Sequence, residues 1–82
     1  MNDSEKQIIA YLSEITAASG VKTEIVPDTE LLAAGLLDSI GLVGLIEFLD
    51  ANFNVAVSES DLATDLFETP RSIARFVDER TQ

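Results

Sequence analysis

Ser39, with Asp38 before it, heads the apolar stretch "GLLDSIGLVGLIEFL" over residues 35–49, and its type and place suit chemistry better than any other in the chain. Either residue suits a helix N-cap, because a short oxygen-bearing side chain there satisfies an N–H that has no intrahelical acceptor. The same place favours an anion. Free N–H groups and the positive end of the helix dipole converge on it, so a phosphodiester on the Ser39 oxygen would be well placed. The chain has no His and no Cys. Without imidazole it lacks the usual base near neutral pH and cannot assemble a Ser-His-Asp or Cys-His nucleophile. Activation of the Ser39 hydroxyl therefore falls to a separate enzyme. No zinc site is expected, since the nitrogen and sulfur ligands zinc prefers are missing. A carboxylate enzyme using Asp61 and Asp65 has little footing: one turn apart on a short helix, they fit a solvated face, and the EF-hand calcium-loop pattern is absent.

Charge narrows the partners. The net charge is -10, and all five basic residues, Lys6, Lys22, Arg71, Arg75 and Arg80, lie towards the ends. Residues 23–70 hold ten acids and no base, so the middle of the chain carries the whole excess. Such a field repels nucleic acid and anionic membranes and speeds encounter with basic protein surfaces, although solubility alone accounts for it equally well. At 82 residues, 46% of them hydrophobic, the chain suits a single folded domain spanning 1–82, with little room for a deep substrate cavity. The polar start "MNDSEKQ" and the lack of any run of membrane-spanning length point to the cytoplasm.

The elements that must position Ser39 all read as helical. Ser4 and Gln7 have capping-box spacing, and Ile8, Tyr11, Leu12, Ile15 and Ser19 share one face, which predicts a helix over 4–18 stopped by Gly20. Residues 20–38 form a long connection with a short turn at "DTELLAAG" that Asp28 or Thr29 caps and Gly35 ends. Val26, Leu31, Leu32, Leu36 and Leu37 are its candidate anchors across the core. A helix from Ser39 to about Phe53 follows, with Leu42, Leu45, Ile46, Leu49 and Phe53 as its core stripe. "FNVAVS" reads as a loop burying Val55 and Val57, since a lone strand has no partner. Ser58 and Asp61 box a short helix over 58–65, and Thr69 with Pro70 starts the last one, whose Ile73, Phe76, Val77 and Arg80 share a face.

Away from the core stripe, the helix that begins at Ser39 carries Ile40, Gly41, Val43, Gly44, Glu47, Asp50 and Ala51. Each glycine costs about 1 kcal/mol relative to alanine in a helix interior. Two uses offset that cost: close packing against the adjacent loop, or close approach of a partner to an apolar patch rimmed by acids.

"DTELLAAGLLDSI", followed by an amphipathic helix, an acidic loop and "FETP", resembles the phosphopantetheine-dependent acyl and peptidyl carrier proteins along almost the whole chain. The resemblance implies an all-α four-helix bundle with a long loop after the first helix and a short third helix. It implies that Ser39 receives 4'-phosphopantetheine from coenzyme A through a Mg-dependent phosphopantetheinyl transferase, with Asp38 helping to position serine and metal. The chain would then be a non-catalytic carrier, holding an acyl or aminoacyl group as a thioester on the borrowed thiol. Its partners would be the transferase, a loading enzyme and a downstream synthase or transferase with a basic surface, met through Ile40, Gly41, Val43, Gly44, Glu47 and Asp50. A monomer without nucleic acid or membrane insertion is expected. Gly41 and Gly44 stand where many fatty-acid carriers have side chains, often acidic, and "LLDSIG" with "TP" downstream is closer to D-alanyl and stand-alone peptidyl-type carriers. The competing reading is an unmodified acidic helical adaptor for a basic protein, with Ser39 only a cap.

Overall fold

Four helices position the Ser39 region in the computed structural model, which describes residues 3–20, 24–62 and 65–81, with Ser39 and Glu59 described by backbone alone. They are α1 (Asp3–Ala18), α2 (Ser39–Phe53), α3 (Glu59–Leu62) and α4 (Pro70–Thr81). The all-α expectation holds, and "FNVAVS" forms no strand. Val55 is buried and Val57 half-buried, as a core-covering loop requires.

In α1 the buried residues are Ile8, Leu12 and Thr16. Thr16 is tolerated there because its hydroxyl donates to the Leu12 carbonyl at 3.0 Å. Gly20 ends the run in the left-handed region at φ 85°, a conformation glycine adopts without a Cβ clash. The helix begins at Asp3, so Ser4 lies inside its first turn and does not cap with Gln7 as the spacing suggested. Its hydroxyl instead donates to Asp78 Oδ1 on α4 at 2.6 Å, tying the two ends of the chain together.

The long connection is held by backbone hydrogen bonds as much as by side chains. Leu31 N–H reaches the Glu68 carbonyl at 2.9 Å, and Arg71 N–H reaches the Pro27 carbonyl at 3.0 Å, so the connection is sewn to the start of α4. Its turn is closed by Gly35 at φ 72°, with Leu36 N–H to the Leu31 carbonyl and Gly35 N–H to the Leu32 carbonyl, a Schellman arrangement. Thr29 does not cap this turn as its position suggested: its Oγ1 accepts from Val26 N–H at 2.8 Å and closes the preceding turn, while Asp28 pairs with Arg71. Leu31 and Leu37 are buried and Leu36 half-buried as expected, but Val26 and Leu32 are exposed. Ile25 fills the place foreseen for Val26. Successive residues of an extended segment point to opposite sides, and the pairing with α4 decides which side is inward.

Leu45 and Leu49 of α2 meet Ile73, Ala74 and Val77 of α4 in the buried core. At its C-terminal end Asn54 adopts φ 56°, ψ 41°, and its N–H returns to the Asp50 carbonyl. The Ser58–Asp61 capping box forms, with Ser58 N–H to Asp61 Oδ2 at 3.0 Å and Asp61 N–H to Ser58 Oγ at 3.2 Å. The helix foreseen over 58–65 is shorter: α3 stops at Leu62, residues 63 and 64 lie outside the described ones, and Asp65 is in a turn. Thr69 caps α4 reciprocally with Ser72, whose N–H reaches Thr69 Oγ1 at 3.1 Å.

Candidate functional site

Asp38, not Ser39, is the N-cap of α2. Its backbone is extended at φ -102°, ψ -175°, and its Oδ1 accepts from Gly41 N–H at 2.7 Å. Ser39 is thereby the first residue of the helix proper, one position past the cap. The first intrahelical bond runs from Leu42 N–H to the Asp38 carbonyl at 2.8 Å, which leaves the amide of Ile40 at the helix mouth without an intrahelical acceptor. Asp38 is exposed and Ile40 is 84% exposed, so a group attached between them has open space around it.

The far side of α2, one face on sequence grounds, divides in two. Ile40 and Val43 are exposed large hydrophobics, and Glu47 and Asp50 are exposed acids that form no ion pair with another described residue. Together they make an apolar patch rimmed by negative charge. Gly41 and Gly44 are half-buried and face the protein itself. A Cβ on Gly41 would stand 3.2 Å from Asp38 Oδ1 and 3.3 Å from Leu37 Cδ1, and one on Gly44 only 2.7 Å from Tyr11 Oη. The close approach these glycines permit is thus intramolecular, to α1 and to the loop before α2. Between them lies a cleft of about 450 Å³ that reaches Asp38 and Ile40.

Tyr11 and Phe48 were not singled out with the site, yet they shape it. Their rings stack with centroids 4.4 Å apart. Phe48 follows Gly41 and Gly44 at the i, i+3, i+7 spacing of a helical stripe, which is the signal in the sequence that would have found it. Burial raises the Tyr11 phenol above its usual pKa, and the negative charge of Glu47 adds to the effect.

Asp61 and Asp28 have structural partners. Asp61 accepts from Arg80 at 2.9 Å besides closing its capping box, and Asp28 pairs with Arg71 at 2.6 Å. Hydrogen bonds from the Ser58 backbone N–H and hydroxyl, then Arg80, hold the Asp61 carboxyl below its ordinary pKa. Among the described residues no cluster of acids is arranged to hold a metal ion, and no helix is long and apolar enough to cross a membrane.

Similarity to known proteins agrees with this geometry. Residues 6–77 match the family described as "Phosphopantetheine attachment site". The D-alanyl carrier protein of Bacillus licheniformis is 29% identical over 77 residues, covering 94% of this chain and 96% of that protein. The D-alanyl carrier protein of Lacticaseibacillus casei is 32% identical over 72 residues, covering 88% and 86%. In fold, the solution structure of the holo acyl carrier protein of Nitrosomonas europaea superposes with a TM-score of 0.75 at 24% identity, covering 96% of each chain. An unmodified acidic adaptor accounts for none of these matches. The open mouth of α2, with an uncommitted backbone amide beside an exposed serine-flanking pair, fits the phosphodiester of that prosthetic group. The chain belongs to the phosphopantetheine attachment family and is a carrier protein whose prosthetic group is covalently attached 4'-phosphopantetheine.

Proposed function

We propose that Ser39 is the attachment residue, and that the chain is a cytoplasmic carrier of a small aminoacyl group of the D-alanyl class. The observation that carries the assignment is the division of labour at the mouth of α2: Asp38 takes the cap, and Ser39 is left as the first helical residue between two exposed neighbours. In the attachment step the Ser39 oxygen bonds to the phosphorus that bears the pantetheine of coenzyme A. The pyrophosphate link breaks, and the adenosine bisphosphate half leaves. The serine proton passes to a base of the transferase, since this chain has no His to take it. Asp38 holds the helix mouth in place and presents negative charge to the metal that such a transferase carries.

When bound, the prosthetic group supplies a terminal thiol that carries the cargo as a thioester. The chain's own part is to anchor, present and release. Ile40 and Val43 offer a small apolar contact, and Glu47 and Asp50 steer it to basic surfaces on the transferase, the loading enzyme and the acceptor enzyme. A patch of this size docks weakly, which suits a carrier that visits several partners in turn, while the tether keeps the cargo at high local concentration. Kinship with D-alanyl carriers supports an aminoacyl cargo.

The test is incubation of the purified chain with coenzyme A, Mg and a promiscuous phosphopantetheinyl transferase, followed by intact mass. The wild type should gain one phosphopantetheinyl group and Ser39→Ala none. Ile40→Ala should react more slowly while its stability stays within about 0.5 kcal/mol of wild type, as befits an exposed side chain. A wild type that keeps its bare mass overturns the assignment.

A further inference from the structure

The cleft beside α2 begins where a group on residue 39 would leave the chain, because Asp38 and Ile40, its neighbours in sequence, both line it. One wall is bare backbone at Gly41 and Gly44, and the other is α1 with Tyr11 and Ile15. Tyr11 closes the far end. Beyond its ring lies a second pocket of about 230 Å³, lined by Gln7, Ala10, Glu14 and Phe48, so Tyr11 separates the two spaces. From Ile40 to Gly44 the helix rises about 6 Å, the reach of the first part of a pantetheine arm rather than of the whole.

The lining matches that first part chemically. Ile15, Leu36 and Ile40 provide apolar surface for a geminal dimethyl group. Of the hydroxyls in the described lining, those of Thr16 and Ser19 already donate to carbonyls of their own helix. The Tyr11 hydroxyl makes no hydrogen bond to a described residue and stands at the cleft wall beside Gly44, where it can serve an amide. The glycines now have a reason, since any side chain at 44 would meet Tyr11 and narrow the space.

Resting on the assignment of Ser39, we propose that the cleft between α1 and α2 seats the proximal, pantoyl half of the prosthetic arm, with the Tyr11 hydroxyl hydrogen-bonded to its first amide and the thiol end left free for partner enzymes.

The chain has one Tyr and no Trp, so tyrosine emission comes from Tyr11 alone. Apo and holo protein, the latter made enzymatically and verified by intact mass, are compared by tyrosine emission and by isotope-filtered NOE spectroscopy. Contacts from the arm's geminal methyls to the Tyr11 ring and the Ile15 methyls are expected, with a change in emission between apo and holo forms. Gly44→Leu fills the cleft and should abolish those contacts while the attached mass remains. Should that variant fail to fold, the wild-type contacts alone decide. An attached arm that shows no contact to Tyr11 or Ile15, or contacts that persist unchanged in a folded Gly44→Leu, overturns this inference and leaves the Ser39 assignment standing. A wild type that takes up no arm overturns both.

Discussion

Replacing Asp38 by alanine removes the acceptor for Gly41 N–H, a bond of 2.7 Å at the first turn of α2. Loss of an N-cap of this type costs about 1 kcal/mol, and loss of a carboxylate at the positive end of the helix adds roughly 0.3–1 kcal/mol at an exposed site. Asp38 is exposed and buries nothing else, so the total is about 1–2 kcal/mol. For a domain of this size each kcal/mol shifts Tm by about 4–8 °C, which predicts a fall of roughly 4–16 °C in a thermal melt followed by circular dichroism. Asp38→Asn separates the two contributions. Asparagine caps as well as aspartate, so only the charge contribution is lost, and the melt should drop by a few degrees. In the transferase assay both variants should slow modification, because the negative charge presented to the metal is gone from each. Alanine leaving the melt unchanged, or asparagine proving as costly as alanine, would refute the assignment of Asp38 as the cap of α2.

Other expectations are as direct. Gly44→Ala places a Cβ 2.7 Å from Tyr11 Oη, so in wild type it should yield less than the roughly 1 kcal/mol of helix propensity; in Tyr11→Phe the full gain should return, read from a double-mutant cycle in urea. Leu45→Ala, at a fully buried position between α2 and α4, should cost about 2–5 kcal/mol in the same denaturation assay. The Asp61 pKa is lowered on folding, so its contribution to stability is present above the ordinary carboxylate pKa and is lost as pH falls through the lower folded value; the Ser58 amide resonance should move over that acidic window. The Tyr11 pKa is raised, so its contribution is present below the ordinary phenol pKa of 10.0 and is lost as pH rises through the higher folded value; ultraviolet titration should move back towards the ordinary value only partly in Glu47→Gln, because burial is the larger cause.

The sequence carried the ends of the helices better than their faces. Gly20, Gly35, Ser58, Thr69 and Pro70 act through local backbone chemistry, which does not depend on what lies across the core, and each stands where its type predicts. Ser4 is the exception: the helix already includes Asp3, so Ser4 stands inside the first turn, and its hydroxyl donates to Asp78 on α4. Faces depend on tertiary neighbours. Val26 and Ile25 are equally apolar, and only the pairing of the connection with α4 makes Ile25 the buried one. The same holds for α2, where two apolar arcs were merged into a core and an outside. The second arc, Gly41, Gly44 and Phe48, turns to α1 because Tyr11 is there to stack on Phe48. Whether Asp38 or Ser39 caps α2 was undecidable from two residues that cap equally well; the extended backbone at Asp38 decides it.

The central claim is that the prosthetic group sits on one hydroxyl at the mouth of α2. Peptide-level tandem mass spectrometry of the enzymatically modified chain tests it most directly. The account predicts a fragment series in which the added phosphopantetheinyl mass begins at Ser39 and is missing from the Ser39→Ala protein. Added mass on any other residue, or its persistence in Ser39→Ala, contradicts the account.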